Sequence, residues 1–428
     1  MQSTELKENV RHNFIAGVLD GAFFGVGLGF TSKEVIMPLF LNTLGASTIL
    51  IGLVSSLHDI GWYLPQLLMA GRVARLRRYK PMVLRFTLHE RWPFFGLAVV
   101  AWLVGVVPTE ITLALTVIFY GIFSFGGGLS AIAWQSMIGK VMPKSLTGTF
   151  FGSQSGAANL LAAAGAVGAG FLLERLVPQA GYALCFLLAG IGMMISMGFL
   201  AQTREPDHEV AHDSATTARG WAKFGDILRR DVNFRWLLVG RNVAQFAWMA
   251  MAFYTIYAVR HFNMNEQTAG IMAGLLLVSQ TVSGPAMGWL GDRFGHRTLF
   301  AIGAIMMTVS AGLALVAPSL DWFYVIFALA GASRVALWAV SITLTLEFGA
   351  SGEKPLYIGL ANTLIAPTSI LAPIVGGWLA DNVGFQATFL MSLICGIITA
   401  AVMLFLVRNP QQNAPYIRPI RNPAIVSE

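Results

Sequence analysis

Arg334, Arg241, Asp20, Glu34, His58 and Asp59 all fall within long apolar runs of this chain. A charged side chain in hydrocarbon costs about 3 kcal/mol or more. Each of these residues must therefore face water, a partner or a ligand. A guanidinium presents planar, two-pronged donors that match a carboxylate or a phosphate. A buried carboxylate or imidazole can titrate near neutral pH. The residue types thus point to anion binding and proton movement. Arg334 heads a polar stripe at helical spacing with Trp338, Ser341 and Thr345. Arg241 shares a face with Gln245 and Trp248. Asp20 lies at similar depth in its own run and is expected to pair with Arg241. Glu34 follows Asp20 by 14 residues, close to four turns of one helix, so both acids are expected on one face. Asp59 forms a stripe with Tyr63 and Gln66, next to His58. The bland alternative for each residue is a structural ion pair or a polar lock between helices, and it stays open here. For Arg85, His89, Glu90 and Arg91 the structural network is the favoured reading.

The elements that carry these residues follow from composition. The chain has 428 residues, 56% of them hydrophobic and 11% charged. Mean hydropathy is +0.66. Apolar runs long enough to cross a bilayer as helices recur throughout. A β-barrel is disfavoured because strict alternation is missing. Twelve spans are expected, near 13–41, 47–70, 82–105, 111–141, 148–173, 181–201, 233–260, 266–290, 298–317, 321–347, 355–380 and 385–407. With the N-terminus placed in the cytoplasm, only Arg175 and Arg260 of the 28 Lys and Arg residues fall outside, and Lys33, Arg91, Arg241 and Arg334 lie within spans. The remaining 22 are cytoplasmic, which orients both termini inward. The basic balance then describes loops beside anionic lipid, and no nucleic-acid partner is expected. No cleavable signal peptide is expected, and Cys185 and Cys395 read as packed thiols without a disulfide or metal framework.

Residues 202–232 form a polar linker that divides the spans six and six, with "WAKFGDILRRD" a candidate surface helix. The expected organisation is a bundle over 1–201, the linker, a second bundle over 233–408 and a cytoplasmic tail over 409–428. The halves repeat one another. Phe119, Tyr120, Phe123, Gly127 and Trp134 recur as Phe323, Tyr324, Phe327, Gly331 and Trp338. Gly152, Gly170, Leu172 and Glu174 recur as Gly359, Gly377, Leu379 and Asp381, and the "NF" pairs at Asn13 and Asn233 align the first helix of each half. Such duplication marks secondary transporters.

The segment "GWLGDRFGHR" from Gly288 resembles the loop signature of the major facilitator superfamily, with weaker support from "GGWLADNVGFQATF" near Gly377. The resemblance implies an all-α membrane protein: twelve helices in two pseudo-symmetric six-helix bundles that rock about a central cavity. It also implies a cytoplasmic gate of Gly288, Asp292, Arg293 and Arg297, with Asp292 near the start of the fifth helix at Ser145–Thr149. In the first half Arg75 stands where the aspartate belongs, so a reversed pair with Glu353 is expected.

The expected function is secondary active transport of a small organic anion or zwitterion, coupled to protons, with the lipid bilayer as surroundings and a monomer as the unit. The expected substrate-facing residues are Arg334, Trp338, Arg241, Gln245, Trp134 and Asn362. The expected proton-coupling residues are Asp20, Asp59, His58 and Glu34. No enzyme is expected, because no catalytic constellation, Walker A motif, cofactor or metal motif occurs. The alternatives are an exporter of amphipathic drugs or lipids, and a non-transporting sensor on the same fold. The glycine-proline signature of drug antiporters is missing from the fifth span, "GAANLLAAAGAVGAG".

Overall fold

The structure, a computed structural model, describes residues 2–73, 76–206, 225–346, 348 and 354–408. Among the described residues there is no strand, only an isolated bridge between Val104 and Val107. The first half comprises α1 (Gln2–Phe30), α2 (Ile36–Thr43), α3 (Thr48–Val73), α4 (Lys80–Arg91), α5 (Pro93–Trp102), α6 (Thr109–Val141), α7 (Lys144–Arg175) and α8 (Pro178–Leu200). The second comprises α9 (Val232–Trp248), a 3₁₀ turn (Met249–Ala252), α10 (Tyr254–Phe262), α11 (Glu266–Phe294), α12 (His296–Val316), α13 (Trp322–Leu346), α14 (Lys354–Asn382) and α15 (Phe385–Ala401). A short helical segment at 225–230 stands where the surface helix is expected. Among the described residues, eight helices are long and apolar enough to cross a membrane.

The first run of each half is broken, where sequence periodicity suggests continuity. In the first half the break spans Thr31–Val35. Pro38 has no N–H, so it cannot donate to the carbonyl of Glu34 four residues earlier. That carbonyl accepts instead from the Thr255 hydroxyl of the second half, at 3.0 Å. In the second half a side chain enters the helical ladder. Ser392 Oγ accepts from Ala250 N–H and donates to Phe246 C=O, both at 3.2 Å, replacing the bond those two groups would share. The 3₁₀ turn follows at that point.

The duplication persists in three dimensions. Asn13 exchanges two hydrogen bonds with the backbone of Arg204, and Asn233 does the same with Arg408. Lys80 donates to Thr203 C=O and Arg297 to Val407 C=O, one residue earlier in each case. Phe14 meets Phe150 edge-on, and Phe234 meets Tyr357. Each half thus closes its last helix onto its first and third by the same bonds.

Close approach within the first half comes from a glycine at every fourth position of α1. A Cβ on Gly17 or Gly21 would meet the side chains of Phe150 or Gln154, and on Gly25 or Gly29 the backbone of Ala158 or Ala162. This stripe seats α1 directly on α7, as small residues do where apolar burial cannot drive association.

Candidate functional site

The two breaks face one another, and Glu34 and Arg334 meet between them. Arg334 Nη1 on α13 donates to Glu34 Oε1 in the first break. The guanidinium carbon also lies 5.3 Å from the ring centre of Trp248, the last residue of α9 before the second break. Ser32 Oγ approaches Glu34 Oε2 at 3.5 Å. His58 lies within electrostatic reach of Lys33, Glu34 and Arg334, and its ring stacks on Phe123 at 5.7 Å. Its buried Nδ1 has no hydrogen-bond partner among the described residues. Arg334 and Glu34 therefore come together from the two separately expected groups, and the pair joins the halves. A cation, an acid, an imidazole and an aromatic wall at two broken helices make a site able to hold an anionic group. Among the described residues no group of three or more His, Cys, Asp and Glu could hold a metal ion.

The expected pairing of Asp20 with Arg241 is not what this structure contains. Asp20 is buried and accepts from Ser196 Oγ at 2.6 Å and Arg91 Nη2 at 3.5 Å. Arg91 also donates to Met193 C=O, Thr87 C=O and Glu90 Oε2. The network closes entirely within the first half and ties α4 to α1 and α8. Arg241 instead donates to Thr345 Oγ1 at 2.9 Å, the last member of the Arg334 stripe. Nor do Asp20 and Glu34 share one helical face, because the break at Thr31–Val35 separates them.

The remaining expected residues scatter. Gln245 donates to Arg241 C=O on its own helix. Trp134 packs edge-on against Phe151. Asn362 is exposed. Arg293 lies over the rings of Trp289 and Phe294. The side chains of Asp59, Trp338, Asp292 and Ser145, and the surroundings of Gly288, are outside the described residues, as are Arg75 and Glu353 altogether.

Inter-half closure concentrates at the end of the bundle away from the linker. Asp381 accepts from the backbone N–H groups of Thr48 and Ile49 at the start of α3. Arg260 donates to Asn42 Oδ1 and Thr48 Oγ1. Ser56 Oγ donates to Ile370 C=O at 2.8 Å. Gly170 and Gly270 bring α7 against α11, each leaving under 3 Å for a Cβ opposite the other. Toward the linker the same two helices diverge: a Cβ at Gly152, Gly156 or Gly284 would meet nothing within 4 Å. Sequence reasoning passed over Asp381 and Arg260 as closing residues. Two signals were present. Asp381 keeps the acid of its repeat partner Glu174, and Arg260 is one of two cations on the wrong side of the charge asymmetry. A third residue, Glu205, was also missed. Its buried carboxylate accepts from the N–H groups of Tyr79 and Lys80 and from Lys140 Nζ, at 2.8–2.9 Å.

Known proteins resemble this chain in part of its sequence and in its fold. The family model of the Major Facilitator Superfamily matches residues 237–425. Multidrug export protein EmrB of Haemophilus influenzae is 28% identical over 120 residues, 28% of this chain and 24% of that protein. The chain thus spans about a quarter of that relative's length. The crystal structure of a D-xylose-proton symporter superposes with a TM-score of 0.74 at 16% identity, covering 95% of this chain and 100% of the other. A POT family transporter in complex with 5-aminolevulinic acid superposes with a TM-score of 0.71 at 13% identity, covering 93% and 96%. The chain is thus similar to the major facilitator superfamily in sequence over residues 237–425 and to its solved members in fold over most of its length.

Proposed function

We propose that this protein is a secondary active transporter that moves a small organic anion or zwitterion by alternating access, coupled to protons. The observation that carries this reading is the contact of Arg334 on α13 with Glu34 in the break of the first half. A cation that bridges the halves is well placed to sense a bound anion and to pass its presence to the interface. Glu34 and His58 are the titratable groups that this reading retains beside Arg334. Asp20 is reassigned to the structural network around Arg91 in this state.

The helices support the reading of twelve spans. Eight are long and apolar. The apolar stretches Thr48–Trp62 and Trp322–Leu337 mark two more. The consecutive pairs α4–α5 and α9–α10 make the last two. With both termini cytoplasmic, by the positive-inside asymmetry, the closed end faces outward and the structure is in an inward-facing state.

Uptake into proteoliposomes against a panel of carboxylates, amino acids and neutral solutes, with and without a pH gradient, tests the reading. Uptake of an anion that Arg334→Ala abolishes and Arg334→Lys weakens supports it, since lysine lacks the two-pronged geometry. Transport unchanged in both variants removes Arg334 from the site. Indifference to every gradient removes proton coupling. A second reading, export of amphipathic compounds, draws on the likeness to the Haemophilus influenzae multidrug exporter. It requires hydrophobic cations or neutral compounds to move independently of Arg334. Folded protein that moves no solute favours the sensor.

A further inference from the structure

Three features set the Arg334–Glu34 pair apart from the Arg91–Asp20 pair. First, both side chains keep contact with open space, at 28% exposure for Arg334 and 14% for Glu34, against 3% and 7% for Arg91 and Asp20. Second, Glu34 engages one guanidinium nitrogen, Nη1, through one oxygen, and the hydroxyl of Ser32 stands off its other oxygen at 3.5 Å. Asp20, by contrast, is held by the Ser196 hydroxyl at 2.6 Å besides Arg91. Third, Glu34 is anchored to the second half through its own backbone, whose carbonyl accepts from Thr255. The side chain can therefore leave Arg334 without the segment leaving its place.

We propose that Glu34 is a built-in occupant of a carboxylate-binding site on Arg334, and that a solute carboxylate binds by displacing it. This rests on the reading of Arg334 as the solute-binding cation, and it names the head group that the site takes. A tethered acid that meets a single nitrogen of the guanidinium is the weaker partner. A free carboxylate can approach the guanidinium edge with two parallel bonds, the geometry in which this pairing is strongest. Trp248 against the guanidinium limits how that group can turn. The exchange swaps one ion pair for another, so Arg334 never stands uncompensated in a low-dielectric setting. The displaced Glu34 already borders open space and turns toward it. One side-chain bond between the halves is lost in the exchange, so arrival of the solute loosens the closed end.

The site can be refilled from solution, which allows a test without the natural solute. Glu34→Ala removes the occupant and leaves room for a small carboxylate. Thermal unfolding of the purified full-length protein in detergent is measured with sodium acetate, and with acetamide plus sodium chloride at equal ionic strength. Acetate is expected to raise the Tm of Glu34→Ala in a saturable manner, as ligand linkage requires, and acetamide is not. Arg334→Ala and the double variant should not respond. The native protein should respond with an apparent affinity roughly tenfold or more weaker, because Glu34 competes. A response of equal size in Arg334→Ala, or no response in Glu34→Ala, overturns the proposal. Should Glu34→Ala not fold, Glu34→Gln keeps the volume and removes the charge. It should bind acetate more tightly than the native protein, and no gain overturns the proposal. Uptake that survives Arg334→Ala would remove the transport reading while leaving the acetate result to be judged by itself.

Discussion

The carboxylate of Asp381 sits on the start of α3, accepting from the N–H groups of Thr48 and Ile49 at 3.0 and 2.9 Å. An acid ending a helix of one half thus caps a helix of the other. The first four N–H groups of a helix lack internal partners, and that end carries partial positive charge. Its repeat counterpart Glu174 is less well placed: among the described residues it is reached only by the Asn265 side-chain amide, at 3.4 Å. The duplicated acids are therefore unequal fasteners of the closed end.

Asp381→Asn should shift the protein toward the state open at that end. The contact is partly solvated, so a loss of about 0.3–1 kcal/mol is expected, up to roughly fivefold in population. Ser56→Cys, placed at the buried contact with Ile370, reports opening through thiol labelling. Glu174→Gln should change the labelling rate less. A larger effect from Glu174→Gln would show that the unequal bonding does not govern closure.

Arg91 balances two buried acids, Asp20 and Glu90. Arg91→Met should cost about 3–5 kcal/mol, because it strands carboxylates in low dielectric. The triple replacement Asp20→Asn, Glu90→Gln and Arg91→Met should recover much of that loss. Thermal unfolding in detergent measures both. If the triple variant is no more stable than Arg91→Met, stranded charge is not the cause.

Asp20 and Arg241 belong to separate networks in this structure. A double-mutant cycle on the stability of the closed state should give a coupling energy below about 0.5 kcal/mol. The cycle for Asp20 and Arg91 should give several times that value. Strong coupling between Asp20 and Arg241 would show that the two meet in the state being measured.

The glycine stripe of α1 makes a graded prediction. Gly25→Ala sets a methyl group against the backbone of Ala158, which cannot move aside alone. A loss of about 1–3 kcal/mol follows from overpacking. Gly17→Ala meets only the ring of Phe150, at 2.5 Å, and a ring can turn. Its Tm should fall less. Equal losses would mean that α1 shifts as a rigid body in both variants.

Much of the architecture was readable from one dimension. The helical class follows from apolar run length. The repeat was visible in particular residues, and the Asn13 and Asn233 bonds carry it into the fold. The special standing of Arg334 and Glu34 was also visible, since charge within an apolar run always demands an explanation.

Partner choice was not readable in the same way. Asp20 has two arginines at comparable depth, and depth along a span says nothing of the direction a helix turns toward its neighbours. Packing of α4 and α8 against α1 settled that choice for Arg91. Glu34 was assigned a face by counting turns from Asp20, which assumes an unbroken helix. Pro38 denies Glu34 its helical hydrogen bond, and the second half supplies Thr255 in its place. Local pattern therefore decided which residues could not rest in lipid. Which of them meet depends on contacts between segments as far apart as Glu34 and Arg334, and only the assembled halves bring those together.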